Sequence, residues 1–170
     1  MEGIEVAFKN SDAVEAVTET SSDGIFSIGP IRPGAYEVSA VHPAVTISDS
    51  TSVKLGSDIN IRSDQLPRIK GFKIRGSVTE GEFNVENVKF FLNHGDEIVS
   101  VVTSAANGEF LFENLPSGEY SITPSYVDIE SGTVFTVKPT NQAVSVSPTS
   151  PLSHFSFAVT GLKLSGKSNF

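Results

Sequence analysis

The chain contains no cysteine, no tryptophan and a single methionine. Disulfides, zinc–thiolate centres and cysteine nucleophiles are thereby excluded, while the compartment stays open. No stretch approaches the roughly 20 apolar residues that a membrane helix needs, so this chain is not expected to insert into a bilayer. Positive charge is also short, with 12 Lys and Arg against 20 Asp and Glu, a formal net charge of -8, and no basic cluster. A phosphate backbone is repelled by such a surface, and nucleic acid is not an expected partner. The opening residues Met1–Asn10 hold neither a basic leader nor an apolar run and do not read as a signal peptide. Asn-x-Ser/Thr glycosylation signals are absent as well.

What is present is β-forming. Twelve Phe and many Val, Ile, Ser and Thr fill short alternating segments, and β-branched and aromatic side chains suit a half-buried pleated surface. Strands are expected at 3–9, 14–20, 24–28, 35–41, 51–55 and 58–62, then at 71–79, 87–93, 97–104, 108–113, 119–126, 132–138, 142–147 and 153–159. Residues 11–17 carry an ambiguous helical period but align with a strand of the later half.

The chain repeats itself. Residues 23–38 align without a gap on residues 107–122, with Gly24 on Gly108, Phe26 on Phe110, Gly34 on Gly118 and Tyr36 on Tyr120, all 84 residues apart. A second pair, Gly71–Gly76 and Gly161–Gly166, lies 90 residues apart, so the later unit is six residues longer in its second half. A period of this size implies tandem domains rather than a short-repeat solenoid. The expected fold is all-β, two immunoglobulin-like sandwiches in tandem. Residues 1–69 are expected to form a sandwich lacking its opening strand, 70–159 a complete sandwich, and 160–170 the opening strand of a third repeat.

Within the repeated motif, Asp23-Gly24 and Asn107-Gly108 suit a tight turn. Phe110 and Phe112 then point inward, as do Phe26 and Ile28, and Glu109, Leu111 and Glu113 point out. Pro116 fixes φ, Gly34 and Gly118 are expected to permit a backbone bend, and Tyr36 and Tyr120 have the position of tyrosine corners. Pro67, Lys70, Gly71 and Gly76 are expected to form the joint between the domains. Leu111, Phe91 and Ile25 are exposed apolar candidates, read first as surfaces packed against a neighbour and second as a docking face.

Catalytic chemistry finds no constellation. His42, His94 and His154 lie in different segments without a second ligand at metal spacing. No calcium loop, nucleophile elbow or organised Ser–His–Asp pattern occurs. Asp96-Glu97 and Asp128/Glu130 sit beside turns. No enzyme activity, metal or cofactor is expected.

The motif G-x-F-x-[FIL]-x-x-[LI]-x-[PS]-G-x-Y resembles those of carboxypeptidase-regulatory-like, transthyretin-like and collagen-adhesin B-type domains. The order of segments is more specific. Residues 3–10, 33–43, 71–78, 87–92, 115–120 and 154–161 resemble, in register, consecutive segments of the nodal modulator family. That resemblance implies an N-terminal-region piece of a long lumenal rod on an endoplasmic-reticulum membrane protein. It further implies a nicalin-containing assembly linked to multipass membrane-protein insertion, and no catalytic residue. Two other readings compete. A bacterial collagen-adhesin B-type stalk would place Lys73 or Lys89 in a Lys–Asn isopeptide bond, but residues 154–160 hold no Asn. An accessory ligand-binding sandwich would need an aromatic-lined groove. If residues 161–166 are a spare strand, head-to-tail strand exchange between copies is a further expectation.

Overall fold

A computed structural model of the chain describes residues 1–11, 13–56, 61–149 and 154–162. It is almost entirely β and falls into two compact units, Met1–Lys73 with Glu113–Leu115, and Ile74–Phe112 with Pro116–Phe170.

In the first unit, β1 (Glu5–Asn10), β2 (Ala13–Glu19), β3 (Gly34–Val41) and β5 (Thr51–Leu55) form an antiparallel sheet in the order β2-β1-β3-β5. The short β4 (Val45–Ile47) pairs instead with the first residues of β6 (Ile69–Glu80), Val45 opposite Phe72 and Thr46 opposite Gly71. Alternation puts Val6, Phe8, Tyr36, Val38 and Val53 on one face as a buried cluster, with Ile4, Phe26, Ile28, Leu55 and Leu66 packed against it. Of the ambiguous stretch at 11–17, Ala13–Val17 lie in β2 paired with β1 and Ser11 has φ 47°, while Asp12 lies outside the described residues.

The second unit holds β7 (Phe83–Asn84), β8 (Lys89–His94), β9 (Glu97–Thr103), β10 (Glu109–Leu115) up to Phe112, β11 (Gly118–Val127), β12 (Val134–Lys138), β13 (Gln142–Val146) and β14 (His154–Leu162). One layer runs β10-β6-β14-β12, with residues 75–79 of β6 parallel to 154–158 of β14. The other layer has β11 between β8 and β13, and β9 outside β8. The end of β11 crosses over to pair with β12, Tyr126 opposite Phe135, which closes the sandwich. Phe90 lies between the layers, 3.9 Å from Phe110 and 5.0 Å from Phe157 by ring centroids. Phe112, Leu92, Ile122 and Val88 complete a buried core, each side chain contributing about 1.5–3 kcal/mol by burial.

Three expectations change. Residues 24–28 form no strand. Their counterpart β10 is held by β6, whereas among the described residues 24–28 pair with no strand and are met instead by a side chain, the Thr18 hydroxyl donating to the Ser27 carbonyl at 2.9 Å; Phe26 still reaches the core, 6.2 Å from Phe8. Strands β4 and β7, of three and two residues, were not anticipated. Of the expected strand at 58–62, residues 58–60 lie outside the described residues, and Ile61 and Arg62 are not in a strand.

Candidate interaction site

The repeated motif is a hydrogen-bonded corner built twice. The Tyr36 hydroxyl donates to the Arg32 carbonyl at 2.8 Å, and the Tyr120 hydroxyl to the Pro116 carbonyl at 2.9 Å. Burial of the Tyr120 ring raises the pKa of its phenol, which keeps the donor protonated. At the hairpin, Gly24 N–H donates to Ser21 and Ser21 N–H to Ile25; Gly108 and Ala105 make the same two bonds with Ala105 and Glu109. Gly24 and Gly108 have φ of 75° and 74°, and a β-carbon on Gly108 would stand 2.6 Å from the Val78 carbonyl oxygen. Both position and conformation therefore demand glycine there.

A pair of hydroxyls overlooked in the motif ties each unit shut. Thr20 Oγ1 accepts from Ile4 N–H and donates to the Met1 carbonyl, both at 2.9 Å. Ser104 Oγ accepts from Val88 N–H at 3.0 Å and donates to the Val85 carbonyl at 2.9 Å. Thr20 and Ser104 are the buried polar residues of the described chain. They stand at the same 84-residue spacing, and extending the alignment three residues upstream would have found them. These groups are consumed internally and offer nothing to a ligand.

Gly34 and Gly118 do not have the role expected of them. Neither has positive φ, and a β-carbon on Gly118 would meet only ordinary contacts, at 3.4 Å from His94 and 3.5 Å from Tyr120. Each already begins an extended strand, and the left-handed residue of the second corner is Asn114, at φ 57°. Among the residues assigned to a joint, Pro67 is half-buried and lines a pocket of the first unit with Leu66 and Ile69, and Lys70 is exposed. Gly71 lies against the Asn114 backbone, where a β-carbon would stand 2.5 Å from Asn114 Cα. Gly76 belongs to the second core, where a β-carbon would meet the Phe155 carbonyl oxygen at 2.5 Å and the Phe110 ring. Gly161 and Leu162 end β14, and residues 163–166 lie outside the described residues.

The open side of the second sandwich carries a cleft of 670 Å³. β9 and β10 diverge from the loop 104–108 into different layers, and each is the outer strand of its layer. Val102 and Thr103 line one wall, Phe110 and Leu111 the other, with Arg75 and His154 also lining it. Arg75 and His154 are brought together by the parallel register of β6 and β14. His154 Nε2 also lies 2.9 Å from Ser77 Oγ, an exposed contact between strands that no sequence spacing suggested. Among the described residues no carboxylate contacts that imidazole, so the pair lacks the third member that activates a serine.

Arg75 forms no ion pair among the described residues, while the nearby Glu109 carboxylate accepts from the Asn107 amide at 2.7 Å. Lys73, one of the two lysines of the isopeptide reading, faces a carboxylate instead, with Nζ 3.1 Å from Glu113 Oε1. Of the exposed apolar candidates, Leu111 lines the cleft, Phe91 is half-buried on β8, and Ile25 projects into solvent. Further apolar exposure occurs at equivalent places on the outer strands β2 and β9, where Val14 and Ile98, and Val17 and Val101, are about half exposed. Among the described residues no group of three or more His, Asp or Glu is placed to hold a metal ion, and no helix is long and apolar enough to cross a membrane.

A family model described as "BOS complex subunit NOMO1-like, second beta sandwich domain" matches residues 1–66 and 69–150. The mouse (Mus musculus) BOS complex subunit NOMO1 is 27% identical over 195 residues, covering 96% of this chain and 16% of the relative. The human (Homo sapiens) BOS complex subunit NOMO1 is 28% identical over 197 residues, with the same coverage of 96% and 16%. The chain therefore spans 16% of the length of these curated relatives. Among solved structures, the Bacillus anthracis TIE protein aligns with 94% of this chain and 31% of its own, at 14% identity and a TM-score of 0.43.

Proposed function

The chain belongs to the NOMO1-like second β-sandwich family, and from that premise we propose that it is a non-catalytic spacer and protein-interaction segment of a BOS complex subunit. In this reading it lies on the lumenal side of the endoplasmic-reticulum membrane, within a nicalin-containing assembly that serves multipass membrane-protein insertion. The observation that carries the mechanical half is the twinned corner. Both tyrosines and both bridging hydroxyls spend their hydrogen bonds inside their own unit. Buried polar networks that are fully satisfied rigidify a fold, and here the repeated polar groups hold the sandwich rather than face a substrate.

The two halves of the reading separate experimentally. In the full-length protein, both units are to be replaced by two unrelated sandwiches of similar length, and in a second variant deleted outright. A pure spacer keeps assembly with nicalin on replacement and loses it on deletion. An interaction segment loses assembly in both variants. Normal assembly after deletion would overturn the proposal.

A further inference from the structure

We infer that the cleft of the second unit receives an extended segment of a partner protein, added as a strand along β10, whose side chains combine β-branched residues with one carboxylate. The inference rests on the protein-interaction half of the reading above and names its surface and the chemistry of its partner. Three observations carry it.

The first is the free backbone of β10. Gly108 accepts from Val78 N–H at 2.9 Å, so even-numbered residues of this strand face β6. By the alternation of an antiparallel ladder, the N–H and C=O groups of Leu111 are directed away from β6. β10 is the last strand of its layer, and neither lysine nor proline occurs within Glu109–Leu115 to discourage pairing. Strand addition is the mode of recognition such an edge supports.

The second is the cleft beside it. Its 670 Å³ lies within the range of sites that hold small ligands or a few peptide side chains. Val102 and Leu111 give it an apolar part beside the polar Thr103, Asn107 and His154, a mixed lining that suits the apolar stem and polar tip of side chains such as valine and threonine.

The third is charge. The chain is acidic overall at -8, yet the cleft offers Arg75 without an ion-pair partner among the described residues, while Glu109 is engaged by Asn107. A guanidinium pairs with a carboxylate in a two-point geometry that a neutral side chain cannot match. The complementary occupant therefore carries an Asp or Glu among its apolar side chains.

The test uses the whole chain, isotopically labelled, titrated with a nine-residue segment displayed on a soluble carrier protein. One probe alternates valine and threonine around a central glutamate, and its twin has glutamine there. The expected result is saturable binding of the glutamate probe, with an amide shift at Leu111, and affinity lower by roughly tenfold or more for the glutamine twin. Arg75→Gln is expected to equalise the two probes. Leu111→Pro removes only an outward-facing N–H, a position where an edge strand tolerates proline, and is expected to abolish binding while leaving the core resonances in place. Equal binding of both probes, binding unchanged in either variant, shifts confined to β9, or a dimer of the chain that excludes the probe would each overturn the inference. The full-length protein distinguishes the two failures: loss of nicalin assembly on replacing both units, with normal assembly in Arg75→Gln, removes the cleft but leaves the wider reading standing.

Discussion

At the scale of single residues, the two units rest on hydroxyls whose worth can be measured. Tyr36→Phe and Tyr120→Phe each remove one hydrogen bond to a corner carbonyl and are expected to lower unfolding free energy by about 1 kcal/mol in urea titrations. Ser104→Ala costs more, about 2 kcal/mol, because the hydroxyl serves two backbone groups from a buried site. Thr46 is the opposite case. Its hydroxyl is buried without a hydrogen-bond partner among the described residues, so Thr46→Val should stabilise the fold by about 1 kcal/mol; a loss of stability there would reveal a partner for Oγ1. His42 adds a pH dependence. Its ring accepts from Ala44 N–H at 3.1 Å through Nδ1, and desolvation, followed by the Met1 ammonium, holds its pKa below the ordinary 6.5. A base whose folded pKa is depressed favours the neutral form in the fold. The stability it supports is present above pH 6.5 and is lost as pH falls through the lower folded value. Denaturation midpoints should decline below pH 6.5 in the wild type and flatten over that window in His42→Gln.

At the scale of elements, close approach separates from backbone strain. Gly76→Ala puts a β-carbon 2.5 Å from the Phe155 carbonyl oxygen and into the Phe110 ring, and neither strand can retreat without breaking the parallel ladder. A loss of about 3 kcal/mol or more is expected. Gly95→Ala, with open space around it and φ of 60°, should cost only the 1–2 kcal/mol or so of a left-handed residue. Equal losses would show that contact is not what matters at Gly76. The same contrast explains what could be read in advance. The corner was legible because its turn glycine, inward phenylalanines and tyrosine sit within thirteen residues and recur 84 later. Alternation alone could not show that residues 24–28 lack a ladder partner, since pairing is a property of the neighbour. Nor could spacing reveal the cleft: Arg75 and His154 meet through a parallel register between strands 79 residues apart, and parallel pairing leaves no local turn signal. Gly118 misled because it sits where a bend was needed, while Asn114 supplies the positive φ.

At the scale of the molecule, the balance of charge decides between two effects of salt. Twenty acidic and twelve basic side chains leave a net -8, and among the described residues the ion pairs are Arg62–Asp64, well exposed, and Lys73–Glu113, with Lys73 mostly covered. Exposed pairs contribute roughly 0–1 kcal/mol, and screening them subtracts at most that. Self-repulsion of the excess carboxylates acts over the whole surface and opposes the compact state. Raising ionic strength from about 0.01 M to 1 M shortens the screening length from about 30 Å to 3 Å, which removes most of the repulsion. Repulsion should therefore win, and the thermal midpoint of the chain should rise with added sodium chloride, by a few degrees for a stabilisation of about 1 kcal/mol. Lys73→Gln tests the competing term directly: it removes one ion pair and deepens the net charge, so its stability should climb more steeply with salt than the wild type. A midpoint that falls with salt in the wild type but rises in Lys73→Gln would show that the Lys73–Glu113 pair outweighs the field of the whole chain.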